Sequence, residues 1–333
     1  MKKRKTILIT GAAGFIGFHL AEALLRKGHR VIGVDSLTDY YDVRMKQRRL
    51  AFLKKYPKFS FTKLSVLEYE KLLALMKRSR VTDIYHLAAQ AGVRYSISHP
   101  RSYGENNYVG TLNVFEAARV CGVRRVVYAS SSTVYGARSR KGAFSETDVT
   151  DTPLSVYGAT KIANEALAHA YASAYGMEMI GIRFFTVYGA FGRPDLGMFI
   201  FTKRIMEGKT VSLFNYGKTR RAFTHVSDVI PPLVNILKKP VRSGSSVYNL
   251  GGTESISLTT LITHIERALG KRAKVKLTPP VIGDMPETIA DCRRAMKDLA
   301  YRPKMDIKKG VEEFAAWYRE NNGWLKTLSE PKS

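Results

Sequence analysis

The stretch that most limits how this chain can fold is Gly11-Ala12-Ala13-Gly14-Phe15-Ile16-Gly17. It follows Thr6–Thr10, a short β-branched and apolar run of the kind that forms a buried parallel strand. It opens a helical pattern over Phe15–Lys27. In that setting Gly11 and Gly14 permit a tight turn and close backbone approach to a pyrophosphate, and Gly17 lets helix and strand pack closely. The helix N-terminus, led by Phe15 and Ile16, supplies the anion site. The next strand, Val31–Val34, runs into Asp35. A carboxylate there accepts hydrogen bonds from an adenosine ribose and repels a 2′-phosphate, so NAD is favoured over NADP.

The alternation continues with strand Phe59–Leu64, helix Glu68–Arg78, strand Asp83–Leu87, helix Tyr103–Cys121 and strand Arg124–Ser130. This spacing predicts an α/β fold, a doubly wound and mostly parallel Rossmann sheet. The fourth strand ends in His86-Leu87-Ala88-Ala89-Gln90, whose small residues would let a cofactor lie over the strand's carboxyl end. The fifth runs from Ser130 into Ser131-Ser132-Thr133-Val134-Tyr135-Gly136. Hydroxyls at such a strand end lie in the ligand crevice, although a serine run also makes an ordinary loop. Downstream, Tyr157 and Lys161 stand four residues apart in the alanine-rich, proline-free pattern Val156–Ala174, which puts both on one helical face. Free tyrosine, with a pKa near ~10, is a poor base at neutral pH, and a neighbouring ammonium favours its phenolate. Alone, such a pair is more often a solvated helix face. The dinucleotide loop upstream gives it weight.

A chain of 333 residues suits one large α/β unit or two interlocked lobes. The expected division is a dinucleotide-binding part over residues 1–178 and a smaller α/β substrate lobe over 179–330, with segments interleaving back into the first. Against 28 acidic residues stand 54 Lys and Arg, a net charge of +26. These charges are dispersed, as at Arg48-Arg49, Lys54-Lys55, Lys238-Lys239 and Lys308-Lys309, which fits a solvated surface better than a nucleic-acid stripe. Association with an anionic membrane stays open. Cys121 and Cys292 make no disulfide framework, no apolar run is long enough to span a membrane, and the expected location is the cytoplasm.

In this order, G-x-x-G-x-x-G, His86-Leu87-Ala88-Ala89, Ser130–Gly136 and Tyr157-x-x-x-Lys161 resemble the extended short-chain dehydrogenase/reductase family of NAD-dependent nucleotide-sugar epimerases. The resemblance covers roughly residues 5–320. It implies a UDP-sugar 4-epimerase, commonly a homodimer, in which Tyr157 is the base and Lys161 holds the nicotinamide ribose. Ser131 would share the hydrogen bond to the sugar hydroxyl, and Asn107 would support the cofactor site. In the second half Arg221 reads as a diphosphate clamp, because a guanidinium matches phosphate oxygens. Phe214 either stacks on uracil or belongs to the core, and Asp284 either accepts from the uridine ribose or ends a turn.

Within the family, Thr186, Gly192–Asp195, Phe214–Lys218 and Tyr40–Arg44 look like the UDP-glucuronate 4-epimerases. The decarboxylases and dehydratases carry a glutamate immediately before Val-Tyr-Gly, where this chain has Thr133. On that resemblance Ser132, Thr133 and Thr186 are candidates to grip a sugar carboxylate. Arg94 and Arg193 either provide charge near the site or are solvated. The rival expectations are a 4-epimerase of UDP-glucose or UDP-N-acetylglucosamine, a UDP-glucuronate decarboxylase, and a non-catalytic NAD-binding regulator. Ser65, Ala222 and Ser227 stand where relatives carry carboxylates.

Overall fold

The structure is a computed structural model that describes residues 4–136, 142–280 and 285–332. Strand β1 (Thr6–Thr10) passes through the glycine loop into α1 (Phe15–Arg26), and β2 (Arg30–Asp35), α2 (Val43–Leu53), β3 (Phe59–Lys63) and α3 (Tyr69–Ser79) follow. The chain then crosses to β4 (Asp83–His86), the short helices α4 (Val93–Ser98) and α5 (Pro100–Tyr103), a π turn at Gly104–Val109, and α6 (Gly110–Val120). Next come β5 (Arg125–Ser131), a 3-10 turn at Ser132–Tyr135, α7 (Val156–Tyr175) and β6 (Glu178–Phe184).

The remaining elements are β7 (Thr186–Tyr188), α8 (Gly197–Met206), β8 (Thr210–Leu213), β9 (Arg220–Arg221), β10 (Phe223–His225) and α9 (Val226–Ile236). They continue with β11 (Gly244–Leu250), β12 (Ile256–Ser257), α10 (Leu258–Leu269), β13 (Lys274–Leu277), β14 (Glu287–Thr288), α11 (Arg293–Leu299) and α12 (Ile307–Leu325).

Seven strands form one sheet in the order β11-β6-β5-β4-β1-β2-β3. Every neighbouring pair in it is parallel. Strand alternation divides β1 between two cores. Ile7 and Ile9 pack with Phe15, Phe18 and Leu24 of α1, whereas Leu8 packs on the opposite face with Ile32, Ile84 and Val126. Burial on both faces explains why β1 reads as a continuous apolar run. The winding reverses between β1 and β4, and this switch point opens a crevice at the carboxyl ends of the strands. A third core joins α8, β8, α10 and α12 through Phe199, Val211, Leu261 and Phe314.

The segment expected as one helix over Tyr103–Cys121 is interrupted by the π turn. Gly104 and Gly110 flank the extra residue that the wider turn accommodates, and Asn107 is thereby carried to full burial. Among the described residues no helix is long and apolar enough to cross a membrane.

Candidate active site

A cleft of about 910 Å³ runs along the carboxyl ends of the strands. At one end it is lined by Gly11, Gly14, Phe15, Ile16, Gly17 and Asp35, with Leu87, Ala88 and Ala89 as its floor. Gly11 has φ +72°, and a Cβ there would lie 2.7 Å from the Ala88 nitrogen. A Cβ on Gly17 would collide with the carbonyl oxygen of Gly11. Both positions therefore require glycine. Helix α1 is capped by Gly14 with no side-chain hydrogen bond, so its first N–H groups stay available to an anion. Asp35 accepts from the Ala13 N–H at 3.2 Å and the Leu37 N–H at 2.8 Å. Lys46, from α2, places its ammonium 3.6 Å from the same carboxylate. An uncapped helix end, a buried carboxylate and a floor of small residues fit a dinucleotide.

Asn107 is not in the lining. Its Oδ1 accepts from the Gln90 N–H at 2.7 Å, and its Nδ2 donates to the Gln90 carbonyl at 3.0 Å and to Thr160 Oγ1 at 3.2 Å. It thus ties the loop after β4 to α7, one residue before Lys161.

Helix α7 starts where Ser155 accepts the Gly158 N–H at 3.1 Å and stops at Gly176, whose φ of +63° is left-handed. Four-residue spacing then brings the Lys161 ammonium to 5.7 Å from the Tyr157 ring centroid. Lys161 is buried, donates to the Ala129 carbonyl at 2.8 Å, and is lowered by burial to about 8, against the attraction of Glu165. The Tyr157 phenol is pushed up by burial. What opposes that rise is the positive charge of Arg193 and a hydrogen bond with Ser131. The expectation of a phenol lowered by its lysine is thus corrected: in the protein alone desolvation outweighs the nearby charges. Ser131 also accepts from the Thr133 N–H at 3.2 Å and from the Thr133 hydroxyl at 3.0 Å. Ser130 turns the other way and donates to Glu165 Oε1 at 2.5 Å.

The far walls of the cleft carry Arg94, Ser132, Thr133, Thr186, Arg193, Phe214 and Arg221. Phe214 is half-buried and borders the cleft, with the Arg94 guanidinium 5.0 Å from its ring centroid, so it is no simple core residue. Arg193 is held by Asp195 through a two-bond contact, one arm of which is Nε to Oδ1 at 2.9 Å. Arg221 donates to the Arg220 carbonyl at 2.8 Å. Among the described residues Ser132 and Thr186 have no side-chain hydrogen-bond partner, whereas the Thr133 proton is committed to Ser131. Asp284 lies outside the described residues.

Three features had no counterpart in the sequence reading. Arg49, grouped there with dispersed surface charge, is fully buried and donates to the carbonyls of Ala13, Phe191 and Gly192 and to Tyr41 Oη. It therefore couples the glycine loop to the loop that delivers Arg193. Lys46 is the second. The third is the segment Ser329–Lys332 along the cleft, where Lys332 donates its N–H to the Tyr40 carbonyl at 3.1 Å and Ser329 its N–H to Asp42 at 2.9 Å. Lysine and arginine in a basic sequence carry no mark of burial, which is why pattern alone missed them.

A sequence profile of the NAD dependent epimerase/dehydratase family matches residues 7–251. An uncharacterised protein of Methanocaldococcus jannaschii is 44% identical over 328 residues, covering 98% of this chain and all (100%) of that protein. UDP-glucuronate 4-epimerase 4 of Arabidopsis thaliana is 41% identical over 329 residues, 94% of this chain and 75% of the plant protein. The crystal structure of UDP-glucuronic acid 4-epimerase from Bacillus cereus, in complex with UDP-glucuronic acid and NAD, superposes with a TM-score of 0.88 at 32% identity. That match covers 95% of this chain and 99% of the other. The chain belongs to the NAD dependent epimerase/dehydratase family and is an NAD-dependent nucleotide-sugar epimerase.

Proposed function

We propose that the protein is a UDP-glucuronate 4-epimerase, interconverting UDP-glucuronate and UDP-galacturonate with retained NAD. The observation that carries this reading is one cleft lined by Tyr157 together with the hydroxyls of Ser132 and Thr186 and the guanidinium groups of Arg94, Arg193 and Arg221. The plant and Bacillus relatives support it.

In this reading Gly11, Gly14, Phe15, Ile16 and Gly17 hold the pyrophosphate, Asp35 the adenosine ribose, and Leu87, Ala88, Ala89 and Ser130 the floor beneath the cofactor. NAD held there would supply the acceptor, and then the donor, for the C4 hydrogen and its electron pair, so the net reaction is redox-neutral. Tyr157 accepts the C4 hydroxyl proton while Ser131 shares that hydrogen bond, and Lys161 fixes the nicotinamide ribose. Arg221 grips the diphosphate, and Phe214, backed by Arg94, stacks on the uracil.

A glucuronate oxidised at C4 is a β-keto acid and loses carbon dioxide when its carboxylate bond aligns with the ketone π system. Ser132 and Thr186 donate to that carboxylate and hold it out of alignment, with Arg193 setting the local charge. Thr133 acts through Ser131. No carboxylate stands at position 133 to serve elimination chemistry.

Incubation with UDP-glucuronate, followed by analysis of sugar stereochemistry and released carbon dioxide, tests the reading. UDP-galacturonate with little gas is expected. A UDP-pentose with equivalent gas would make the enzyme a decarboxylase, and turnover of UDP-glucose alone would make it an epimerase of uncharged sugars.

A further inference from the structure

We propose that Glu165 is a positioning residue of the redox centre, anchoring the end of β5 through Ser130 and supplying the counter-charge for Lys161 one turn along α7. This rests on the roles given above to Tyr157 and Lys161. Glu165 lies four residues after Lys161 and is largely buried, its side chain 12% exposed. Its Oε1 accepts from Ser130 Oγ at 2.5 Å and Arg183 Nε at 2.9 Å, and its Oε2 accepts from Arg183 Nη2 at 2.7 Å. Such a two-bond arginine contact fixes the carboxylate in direction as well as place. Arg183 in turn donates to Tyr135 Oη at 3.0 Å, and Tyr135 donates to Asn249 Oδ1 at 2.6 Å.

The network therefore joins four pieces of the site. Ser130 precedes Ser131, Tyr135 closes the turn that carries Ser132 and Thr133, Arg183 lies on β6 three residues before Thr186, and Glu165 shares a helix with Tyr157 and Lys161.

The groups facing Lys161 make Glu165 distinctive. On α7 these are the Tyr157 phenol and Glu165 itself. From β5 come the Ala129 carbonyl and Ser131, from β6 Arg183 across the carboxylate, and from β4 His86, lowered by burial to about 3 and hence neutral. Among the described residues, the Glu165 carboxylate favours the Lys161 ammonium. That ammonium is present below about 8 and lost above it. Removing the Glu165 charge moves the loss to lower pH.

The test is the pH dependence of kcat in Glu165→Gln, which keeps an acceptor for Ser130 and removes the charge. The alkaline limb is expected to move down by about one unit, giving roughly fivefold lower kcat at pH 8, near-normal kcat at pH 6, and unchanged KM. A loss of equal size at both pH values, or an unmoved limb, overturns the proposal. Because a lone Arg183 can unfold the single variant, Glu165→Gln/Arg183→Gln is made alongside. A smaller downward shift is expected there, because the Arg183 charge leaves with the carboxylate, and a double variant that fails to fold or keeps the wild-type limb also overturns the proposal. Absence of wild-type turnover on UDP-glucuronate would refute the substrate assignment alone. The Tyr157 phenolate absorbance of the holoenzyme, assigned against Tyr157→Phe, needs no substrate. It is expected to appear at lower pH in Glu165→Gln, because Lys161 is already neutral where the raised phenol ionises and the variant removes a nearby anion; an unshifted band counts against the proposal.

Discussion

Replacing Thr186 by valine separates recognition of the sugar carboxylate from the shape of the pocket. Thr186 opens β7 and pairs with Phe223 of β10, and valine retains the β-branched form that suits this position. Its hydroxyl is half-buried in the cleft with no protein partner among the described residues, so under the proposed function its hydrogen bond would go to the substrate undivided. A hydrogen bond to a charged group contributes about 1.5–3 kcal/mol. Its loss predicts a roughly 10- to 150-fold fall in kcat/KM for UDP-glucuronate and UDP-galacturonate. Thr133→Val should behave otherwise. Its proton already goes to Ser131, so a neutral bond of about 1 kcal/mol is lost and every sugar suffers, by about fivefold. Initial rates from chromatographic separation of the nucleotide sugars, with carbon dioxide trapped in parallel, measure both effects. In Thr186→Val a 4-keto-pentose should accumulate as the carboxylate rotates into alignment. A parallel loss on UDP-glucuronate and UDP-glucose would refute the reasoning.

Three further outcomes are expected. Tyr157→Phe should lose about 100-fold or more of turnover while its thermal unfolding and bound NAD stay unchanged, and near-normal epimerisation would remove it as the base. Asp35→Ala should weaken NAD by about tenfold and admit NADP, because Lys46 remains beside the ribose position; equal binding of the two dinucleotides by wild type, measured directly, would dismiss the assignment. Gly17→Ala forces a Cβ against the Gly11 carbonyl, so the protein should purify without NAD and lose about 1–3 kcal/mol in denaturant titration; full NAD content would show that the loop can move aside.

Much of this architecture is written in local pattern. Thr6–Thr10 and the three spaced glycines leave few alternatives to a strand, a tight turn and a helix, and the observed α1 begins at Phe15 as that spacing requires. Helix α10 begins where Ser257 caps it and ends at Gly270, residue types that mark such limits locally. Helix α2 is less legible: its many basic residues hide Met45, Lys46, Arg49 and Leu50, all buried. Helix α9 contains Pro231 and Pro232, which argue against a helix locally, yet Val226, Val229, Ile230 and Leu233 bury a continuous face. Tertiary packing overrides propensity there.

The site shows the same division. Tyr157 and Lys161 share a face because helical geometry demands it. The phenol's electrostatics, by contrast, depend on Arg193 and Ser131, brought in from distant parts of the chain, and on a depth of burial that spacing does not encode. The family resemblance pointed to Asn107, but nothing in the sequence reading pointed to the π turn that buries it, although Gly104 and Gly110 mark its ends.

The order of strands in the main sheet constrains how the molecule is born. Strand β5, whose last residue is Ser131, is covered on its open edge only by β6, and β6 only by β11. During synthesis the edge of β5 therefore stays unpaired until residue 184 has been made, and β6 becomes the exposed edge until residue 250 follows. Chains of intermediate length present a row of open backbone donors and acceptors, the kind of surface on which strands from other chains add. Arg183 arrives with β6, so the Glu165 carboxylate also waits for its partner over that interval. A ribosome that stalls between these two strands should release a chain prone to aggregation, whereas one arrested beyond β11 carries the sheet complete.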